Sequence, residues 1–484
     1  MVHAQLRGWA RGRALSLVGA GLLAGLFGLL SISAAAQGTK DRSDKKGEKK
    51  ADKKPAAEKE VPPPKPLNLT IVAPADAPET AEMVKLINDK LEAGWKDNSV
   101  VPSRYVDDYE FIRRASLDVI GRIAKPQEIQ QYMKDPADKR RSLLVNRLLD
   151  SEDYPRHWGD MWANWLLTRS GPFGRGQYHE QLALWLQDQF ATASKDKPFS
   201  YADMVTKLLT AKGKNTDNGA VNFLLAHLGE QIGGGRRPNL ARVREEGHFE
   251  MIPVTSRITR LFLGTQVQCA QCHDHPFLGS LKQNHFWGVN AFLRQVNRPE
   301  PMAMQNGRMM TFPALTLVDD DGVNTDAQVL YEKRNGVELF TKAEFLPSGE
   351  GKRGERMPAG TKGAARREKL AEYLVAHENF PKAIVNRMWG VFFGRGFVNP
   401  VDDFNDNNQP SNPELLNELA ARYKHYNYDQ KKLIRWICNS NAYHLSCVAN
   451  RTNDKQEQEA LFGRMVLKAM SPEQLFESLI VATR

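Results

Sequence analysis

The string "CAQCH" at positions 269 to 273 is the part of this sequence best suited to do chemistry. It contains half of the four cysteines of the chain. With 4 Cys and 11 His in 484 residues, the number of such strings expected by chance is roughly 0.0007. The spacing therefore has a cause, and three chemistries fit it: covalent haem attachment, a metal site and a short disulfide.

Covalent attachment of haem c would use both cysteines and the histidine of the string. The thiols of Cys269 and Cys272 can add to the two vinyl groups of the porphyrin, and His273 can ligate the iron. Apolar residues downstream are candidates to surround the ring: Phe277, Phe286, Trp287 and Phe292. The candidates for a sixth iron ligand are His248, Met251, His285 and Met302.

The same cysteines fit two structural roles. Together with His273, His275 or a remote residue, Cys269 and Cys272 could bind zinc. They could instead form a disulfide, which exported proteins permit. Asp274 and His275 suit positions behind metal ligands, and a surface turn before Pro276 explains them equally well.

The residues before the string predict a helix that carries both cysteines. Ile258, Leu261, Phe262 and Thr265 follow helical spacing, and Cys269 and Cys272 continue it. This pattern would place both thiols on one helix face, with His273 one turn after Cys269.

The N-terminus predicts export. Three arginines precede an apolar, uncharged stretch from Ala14 to Ser33, and small residues follow it at positions 34–36. This arrangement is typical of a secretory signal peptide, residues 1–36, with cleavage before Gln37. An uncleaved membrane anchor is the alternative, because the apolar stretch is about as long as a spanning helix.

Residues 37–66 form a Lys- and Pro-rich segment that we expect to be a disordered linker, since it contains almost nothing that could be buried. Ten basic and six acidic residues lie between Lys40 and Lys65. These residues and the arginines of the leader account for most of the formal charge of +10. The remaining charge is too small to indicate a nucleic-acid partner.

Apolar residues recur at helical spacing over most of the remaining chain, which predicts a mainly α fold. Trp158, Trp162 and Trp165 form one such stripe, which we interpret as core packing. We expect an N-terminal helical domain over 67–298 and a C-terminal helical domain over 361–484. The connector 299–360 is irregular, with short strands expected in 311–318 and 329–340.

The C-terminal block contains clear helix signals. "AIVNRMWGVFFGRG" predicts a helix that ends at Gly394. Ser411, Asp429 and Ser471 are predicted to begin helices, and Ser471 precedes a proline and has a glutamine three residues on.

Several long motifs together resemble a known family. They are "RRASLDVIGRIAKPQEIQQYM", "FLGTQVQCAQCHDHPF", "AIVNRMWGVFFGRGFVNPVDDFNDNNQPSNPELL" and "LIRWICNSNAYHLS". From about residue 80 to the end, the chain resembles planctomycete cytochrome c-associated, or cytochrome-like, surface proteins of unknown function with paired domains. The resemblance implies export, a first domain bearing CxxCH, and a second domain that is incomplete here. Many members also carry a separate cytochrome c domain, and this chain has no second CxxCH.

Two further motifs have simpler structural readings. Asp403, Asn405, Asn407 and Glu414 partly match a calcium-binding loop, but a Ser411 helix cap with a Glu414 capping box explains the same residues. Cys438 and Cys447 could form a disulfide, or Cys438 could be a core residue. There is no GxSxG, HExxH or Walker motif, so the enzyme question stays open, with no support for a hydrolase.

These observations favour an exported periplasmic or cell-surface protein with haem c and an electron-transfer or redox-associated role. Its partner would be a redox protein or another cell-surface component. The alternative is a non-enzymatic scaffold or binding module with zinc or a disulfide at the same cysteines. Membrane contact would occur only through an uncleaved N-terminal segment.

Cleavage at the predicted site can be measured directly. Protein recovered from an exporting host is expected to begin at or near Gln37, because the small residues at positions 34–36 suit signal peptidase. Edman sequencing of the purified protein checks this. An intact Met1 on protein from the cytosolic fraction would contradict it.

Overall fold

The structure, a computed structural model, describes residues 61–483 except 168–174, 193–197, 234–238, 301–303, 306–307, 310–313 and 350. The predicted signal peptide, most of the predicted linker, Met302 and the start of the first predicted strand segment lie outside the described residues.

The mainly α prediction is confirmed. The helices of the N-terminal part are α1 (Thr80–Asp97), α2 (Asp108–Ile120), α3 (Pro126–Lys134), α4 (Arg140–Leu149), α5 (Asp153–Leu167), α6 (Arg175–Ala191), α7 (Tyr201–Thr210), α8 (Asn222–Leu225), α9 (Leu240–Glu246), α10 (Ile252–Leu263) and α11 (Gln283–Ala291). Those of the C-terminal part are α12 (Ala364–Ala376), α13 (Asn379–Phe393), α14 (Pro413–His425), α15 (Gln430–Asn439) and α16 (Pro472–Ala482).

Helix ends follow local sequence signals. Asp429 caps α15 and Ser471 caps α16 through a reciprocal capping box with Gln474. Gly394 ends α13 in the left-handed conformation with φ 78°. The predicted Ser411 cap is wrong, because the Asn412 side chain accepts the hydrogen bond from Leu415 N and begins α14 instead.

Short antiparallel strands occupy the connector and its neighbours. β1 (Gly213–Lys214), β5 (Thr316–Asp319) and β2 (Val296–Asn297) form one sheet with β5 in the centre. β3 (Met304–Gln305) pairs with β4 (Arg308–Met309), and β6 (Gln328–Glu332) forms a hairpin with β7 (Glu338–Lys342). Strands were expected in this region, and β5 ties the connector back to the helical body.

Helices from both predicted blocks share one core, within a single compact unit Glu60–Arg484. Trp158 and Trp162 of α5 are buried in it, which confirms the packing role of that stripe. The indole of Trp162 donates to the Gln430 side chain on α15 at 3.1 Å. The limits of the two blocks along the chain stay a prediction, because packing in three dimensions does not separate them.

Arg367 at the start of α12 is a second link between distant segments. Its side chain is 0% exposed, and it forms an ion pair with Asp319 of β5, which is 7% exposed. Its Nε donates to Asp319 Oδ1 at 2.8 Å, and its Nη1 donates to the carbonyl oxygens of Leu209 and Ala211 at 2.7 Å each. One guanidinium therefore joins α12, the central strand and the end of α7.

Within the described part of the chain, no helix has the length and apolar character needed to cross a bilayer.

Removing the Asp319 charge should cost far more stability than removing an exposed one. Asp319→Asn leaves a buried guanidinium without its anion, so we expect a loss of about 3–5 kcal/mol in the free energy of unfolding. Asp89→Asn, which breaks the exposed pair with Lys85, should cost less than about 1 kcal/mol. Urea denaturation of both variants measures this, and equal losses would contradict the role given to Arg367.

Candidate functional site: the CxxCH turn

The turn that carries the two cysteines begins where α10 ends. Gly264 adopts φ 64°, and a Cβ at this position would lie 2.6 Å from Phe404 Cδ2. The chain therefore leaves the helix and forms a 3-10 turn over Val267–Gln271. The prediction that one helix runs from Ile258 through Cys272 is wrong, because the left-handed glycine ends that helix before the cysteines.

Helix α11 holds the turn in place. The carbonyl of Gln271 accepts hydrogen bonds from Gln283 Nε2 and Trp287 Nε1, each at 3.1 Å. The amide of Gln283 donates to Asp274 Oδ1 at 3.0 Å, and this bond lowers the pKa of the Asp274 carboxyl. Val267 and Ala270 are fully buried beneath the turn. The turn is thus anchored on both sides of the cysteines.

The four cysteines differ in their exposure to solvent. Cys269 and Cys272 are exposed free thiols on the turn. Cys438 is fully buried, and burial raises the pKa of its thiol well above the usual value. Cys447 is a partly buried free thiol. The structure therefore has Cys438 as a core residue and leaves the turn thiols accessible to reagents.

His273 is oriented by its own loop. Its Nδ1 lies 2.6 Å from the carbonyl oxygen of Asp274. A carbonyl only accepts, so Nδ1 carries the proton and Nε2 carries the lone pair. Nε2 makes no hydrogen bond to any residue that the structure describes. This nitrogen can act as a ligand, and the carbonyl contact is the one that commonly orients metal-binding histidines.

His275 is already committed to the loop. Its Nε2 donates to the Gln266 carbonyl at 3.1 Å, and its Nδ1 accepts from the amides of Phe277 and Leu278 at 3.2 and 3.0 Å. Burial lowers its pKa, so the ring is neutral with both nitrogens occupied. His275 would have to break the loop's own hydrogen bonds to bind zinc.

The described candidates for a sixth ligand have other contacts. His248 Nε2 pairs with Asp320 at 2.7 Å, and Met251 is fully buried in the core. His285, on the helix that holds the turn, accepts at Nδ1 from the Lys282 amide at 3.1 Å, and burial lowers its pKa. Among these three, His285 is the one whose helix contacts the turn.

The expected aromatic wall is reduced to two members. Phe286 and Phe292 are 0% and 1% exposed and belong to the core, so they face no surface ligand. Trp287 is partly buried and stacks on Tyr331, with ring centroids 6.5 Å apart. Phe277 is 54% exposed beside the turn. The sequence could not distinguish core rings from surface rings in this aromatic-rich helix.

The calcium-like motif forms a self-contained loop. Asn405 Oδ1 accepts from the Asn407 amide at 2.9 Å, and Asn408 Nδ2 donates to the Asp403 carbonyl at 2.9 Å. Glu414 pairs instead with Lys90 at 2.6 Å. The neighbouring Asp402 pairs with Arg260. In the described ranges no group of three or more His, Cys, Asp or Glu residues is arranged to hold a metal ion.

A groove of about 730 Å³ borders this loop. It lies between the loop after the CxxCH turn, including Leu278 and Leu281, and the loop that contains Phe404 and Asp406. Sequence reasoning missed it, because its walls come from segments more than one hundred residues apart in the chain.

Two family models match the chain. Residues 86–298 match PSCyt2, a protein of unknown function (DUF1549), and residues 366–484 match PSD1, a protein of unknown function (DUF1553). They are the paired domains typical of planctomycete cytochrome-associated proteins, and the CxxCH turn lies within the first. The predicted resemblance is confirmed to that extent. No curated protein and no solved structure matches the chain.

The exposure of the thiols predicts their reactivity. In reduced protein made without haem-attachment machinery, Cys269 and Cys272 should react fast with Ellman's reagent, and Cys438 only after unfolding, because burial protects it and disfavours its thiolate. Cys269→Ser with Cys272→Ser should remove the fast phase, whereas Cys438→Ser should leave it intact. A fast phase that persists in the double variant would contradict the exposures.

Proposed function

We propose that this chain is an exported periplasmic or cell-surface protein that carries haem c on the CxxCH turn and has an electron-transfer or redox-associated role. Cys269 and Cys272 would hold the porphyrin by thioether bonds, and His273 would ligate the iron through Nε2. When bound, the iron supplies one-electron redox chemistry.

The observation that carries the proposal is the state of His273 beside two exposed thiols. The Asp274 carbonyl binds Nδ1–H at 2.6 Å, and the Nε2 lone pair is not used in a hydrogen bond with any described residue. Asp274 is itself held by the Gln283 amide at the start of α11. Helix α11 therefore positions Asp274, and the Asp274 carbonyl orients the His273 ring. A histidine that binds a metal needs this kind of support.

The exposed turn suits covalent attachment better than a closed metal site. Both thiols are accessible from solvent, which an attachment enzyme and a large planar ring require. A structural zinc site needs four convergent ligands. His275, the nearest extra donor, has both ring nitrogens bound within the loop. Within the scaffold alternative, a zinc site at these cysteines is therefore less well supported than a disulfide.

The proposal also includes the location of the protein, in the periplasm or at the cell surface. The arginine-containing start and the small residues before Gln37 support export, and export is the route on which haem is attached to CxxCH motifs. The partner would be a redox protein or another component of the cell surface. Membrane attachment would arise only from an uncleaved N-terminal segment.

Covalent haem can be tested by a label that survives denaturation. Wild-type protein, expressed with export and haem-attachment machinery, should gain one haem mass and stay coloured after denaturing electrophoresis, because thioether bonds resist denaturant. Cys269→Ser with Cys272→Ser should abolish the label. His273→Ala should retain part of it and change the absorption spectrum, since the histidine binds iron and does not hold the ring.

Matched substitutions away from the turn serve as controls. Cys447→Ser removes the partly buried thiol outside the turn and His425→Ala removes a surface imidazole, and neither should change label or spectrum. A colourless protein with stoichiometric zinc would overturn the haem assignment. A colourless, metal-free protein whose two turn thiols disappear on oxidation would replace it with the disulfide-bearing scaffold.

A further inference from the structure

A second candidate site lies beside the first turns of α15. It is a cavity of about 390 Å³. Its walls come from α4, the start of α5, the end of α6 and the first turns of α15, together with the segments that precede α1 and α7. None of its described lining residues belongs to the CxxCH turn, so the site is independent of the haem proposal.

Arg435 of α15 presents unused hydrogen-bond donors at this cavity. It is 3% exposed and lines the cavity. Its Nε donates to Asn146 Oδ1 at 2.9 Å, and Asn146 Nδ2 in turn donates to the Val72 carbonyl at 2.8 Å. Nη1 and Nη2 make no hydrogen bond or ion pair with any residue that the structure describes. A buried guanidinium without an anion is costly and needs an explanation.

The two free nitrogens of Arg435 remain open to solvent. Arg140, Arg387 and Arg395 each have an unpaired side-chain nitrogen that is sealed from solvent, whereas Nη1 and Nη2 of Arg435 are not sealed in this way. Since Nε is bound to Asn146, the fork of Nη1 and Nη2 is the part of the guanidinium that a ligand in the cavity can reach.

The charged groups that line the cavity balance in number. Three cations lie on α15, and three carboxylates lie on separate segments: Lys431, Lys432 and Arg435 against Asp76, Asp150 and Asp429. Lys431 pairs with Asp150 at 3.4 Å, and Lys432 pairs with Glu79 at 3.1 Å. The two lysines are therefore already matched, which leaves Arg435 facing Asp76 and Asp429.

Neither of these two carboxylates serves as the counter-ion of Arg435. Asp429 caps α15, where its Oδ1 accepts from the amides of Lys431 and Lys432 at 2.9 and 3.3 Å. Burial raises the pKa of the Asp429 carboxyl, and Arg435 opposes this rise without forming an ion pair with it. Asp76 is exposed to solvent and likewise makes no ion pair with Arg435. Within the described lining, Arg435 is left without an anionic partner.

Much of the remaining wall is apolar. Pro74, Pro198 and Phe199 belong to it, and Phe199 stacks on Phe190 with ring centroids 4.3 Å apart. A cavity of this volume with a few polar groups on an apolar wall has the size and composition of a small-molecule site. The planar fork of a guanidinium matches the two oxygens of a carboxylate.

We propose that the cavity binds a small organic monocarboxylate with an apolar body of about one ring. Its two oxygens would accept from Nη1 and Nη2 of Arg435, and its body would lie against Pro198 and Phe199. Such a ligand supplies the missing anion and covers the apolar wall in one step. An inorganic oxyanion is the poorer occupant, because it would satisfy the fork and leave the wall uncovered.

Three probes of the same shape and different charge separate head-group chemistry from apolar burial. Isothermal titration of the full-length protein at neutral pH with benzoate should show saturable binding. Benzamide, which is neutral, should bind at least about tenfold more weakly, a difference of about 1.4 kcal/mol, and benzamidinium should not bind. Inorganic phosphate should bind more weakly than benzoate, because it has no apolar body.

Substitutions of Arg435 test the residue assignment. Arg435→Gln should abolish benzoate binding, and Arg435→Lys, which keeps the charge and loses the fork, should weaken it at least about tenfold. Arg113→Gln, at an exposed position outside the cavity lining, should bind like the wild type. Thermal unfolding checks that each variant is folded, and the wild-type probe series decides the head-group chemistry whether or not Arg435→Gln folds.

Four outcomes would each overturn the proposal. They are a benzamide affinity within about tenfold of that of benzoate, tighter binding of benzamidinium or phosphate than of benzoate, unchanged benzoate affinity in folded Arg435→Gln, and no saturable benzoate binding to the wild type.

Discussion

The buried ion pair between Arg367 and Asp319 is the interaction on which the arrangement of this protein most depends. A guanidinium excluded from water is stable only when its donors are satisfied and its charge is matched. Asp319 supplies the matching charge, and the carbonyls of Leu209 and Ala211 accept the remaining bonds of Nη1. Because these acceptors come from separate parts of the chain, the N-terminal helices, the central strand and α12 can satisfy Arg367 only in one relative placement.

Arg366, the residue before Arg367, is held in the core in a different way. Arg366 is also fully buried, but its hydrogen-bond acceptors among the described residues are neutral: the Asn324 side chain and the carbonyls of Asn324, Thr325 and Thr361. Burial lowers its pKa to about 10, which still leaves it charged at neutral pH. Two consecutive arginines thus anchor α12 onto the connector, one by charge and one by a cage of carbonyl dipoles. The contacts of these two arginines explain why the connector, although irregular, packs against the helices on both sides of it.

The sequence predicted what is local and missed what is distant. Apolar spacing located the helices, and Asp429, Ser471 and Gly394 marked helix ends correctly because capping is decided within four residues. The same periodicity failed at Gly264, where close packing against Phe404, 140 residues away, favours a left-handed glycine over a continuing helix. The sequence also gave no sign of the cavity between α5 and the start of α16, since His157 and Glu473 of its lining have no sequence relationship that would bring them together. The sequence also could not show that hydrogen bonds inside the loop engage both ring nitrogens of His275, because residue spacing alone does not contain them.

The location of the CxxCH turn has a consequence for any chemistry at this site. A cofactor inside the core would need an internal space shaped by many side chains, whereas Phe286 and Phe292 are themselves buried in the core. The protein instead offers a fixed external platform, in which α11 holds Gln271 and Asp274 and thereby holds His273. An exposed group on such a platform is easy for a partner to reach and poorly shielded from water. In the proposed redox role, selectivity would then come from a partner's fit to the surrounding surface, including the groove beside Leu278 and Phe404, more than from a closed pocket. The helical body would act as the support that keeps one small turn in a constant geometry.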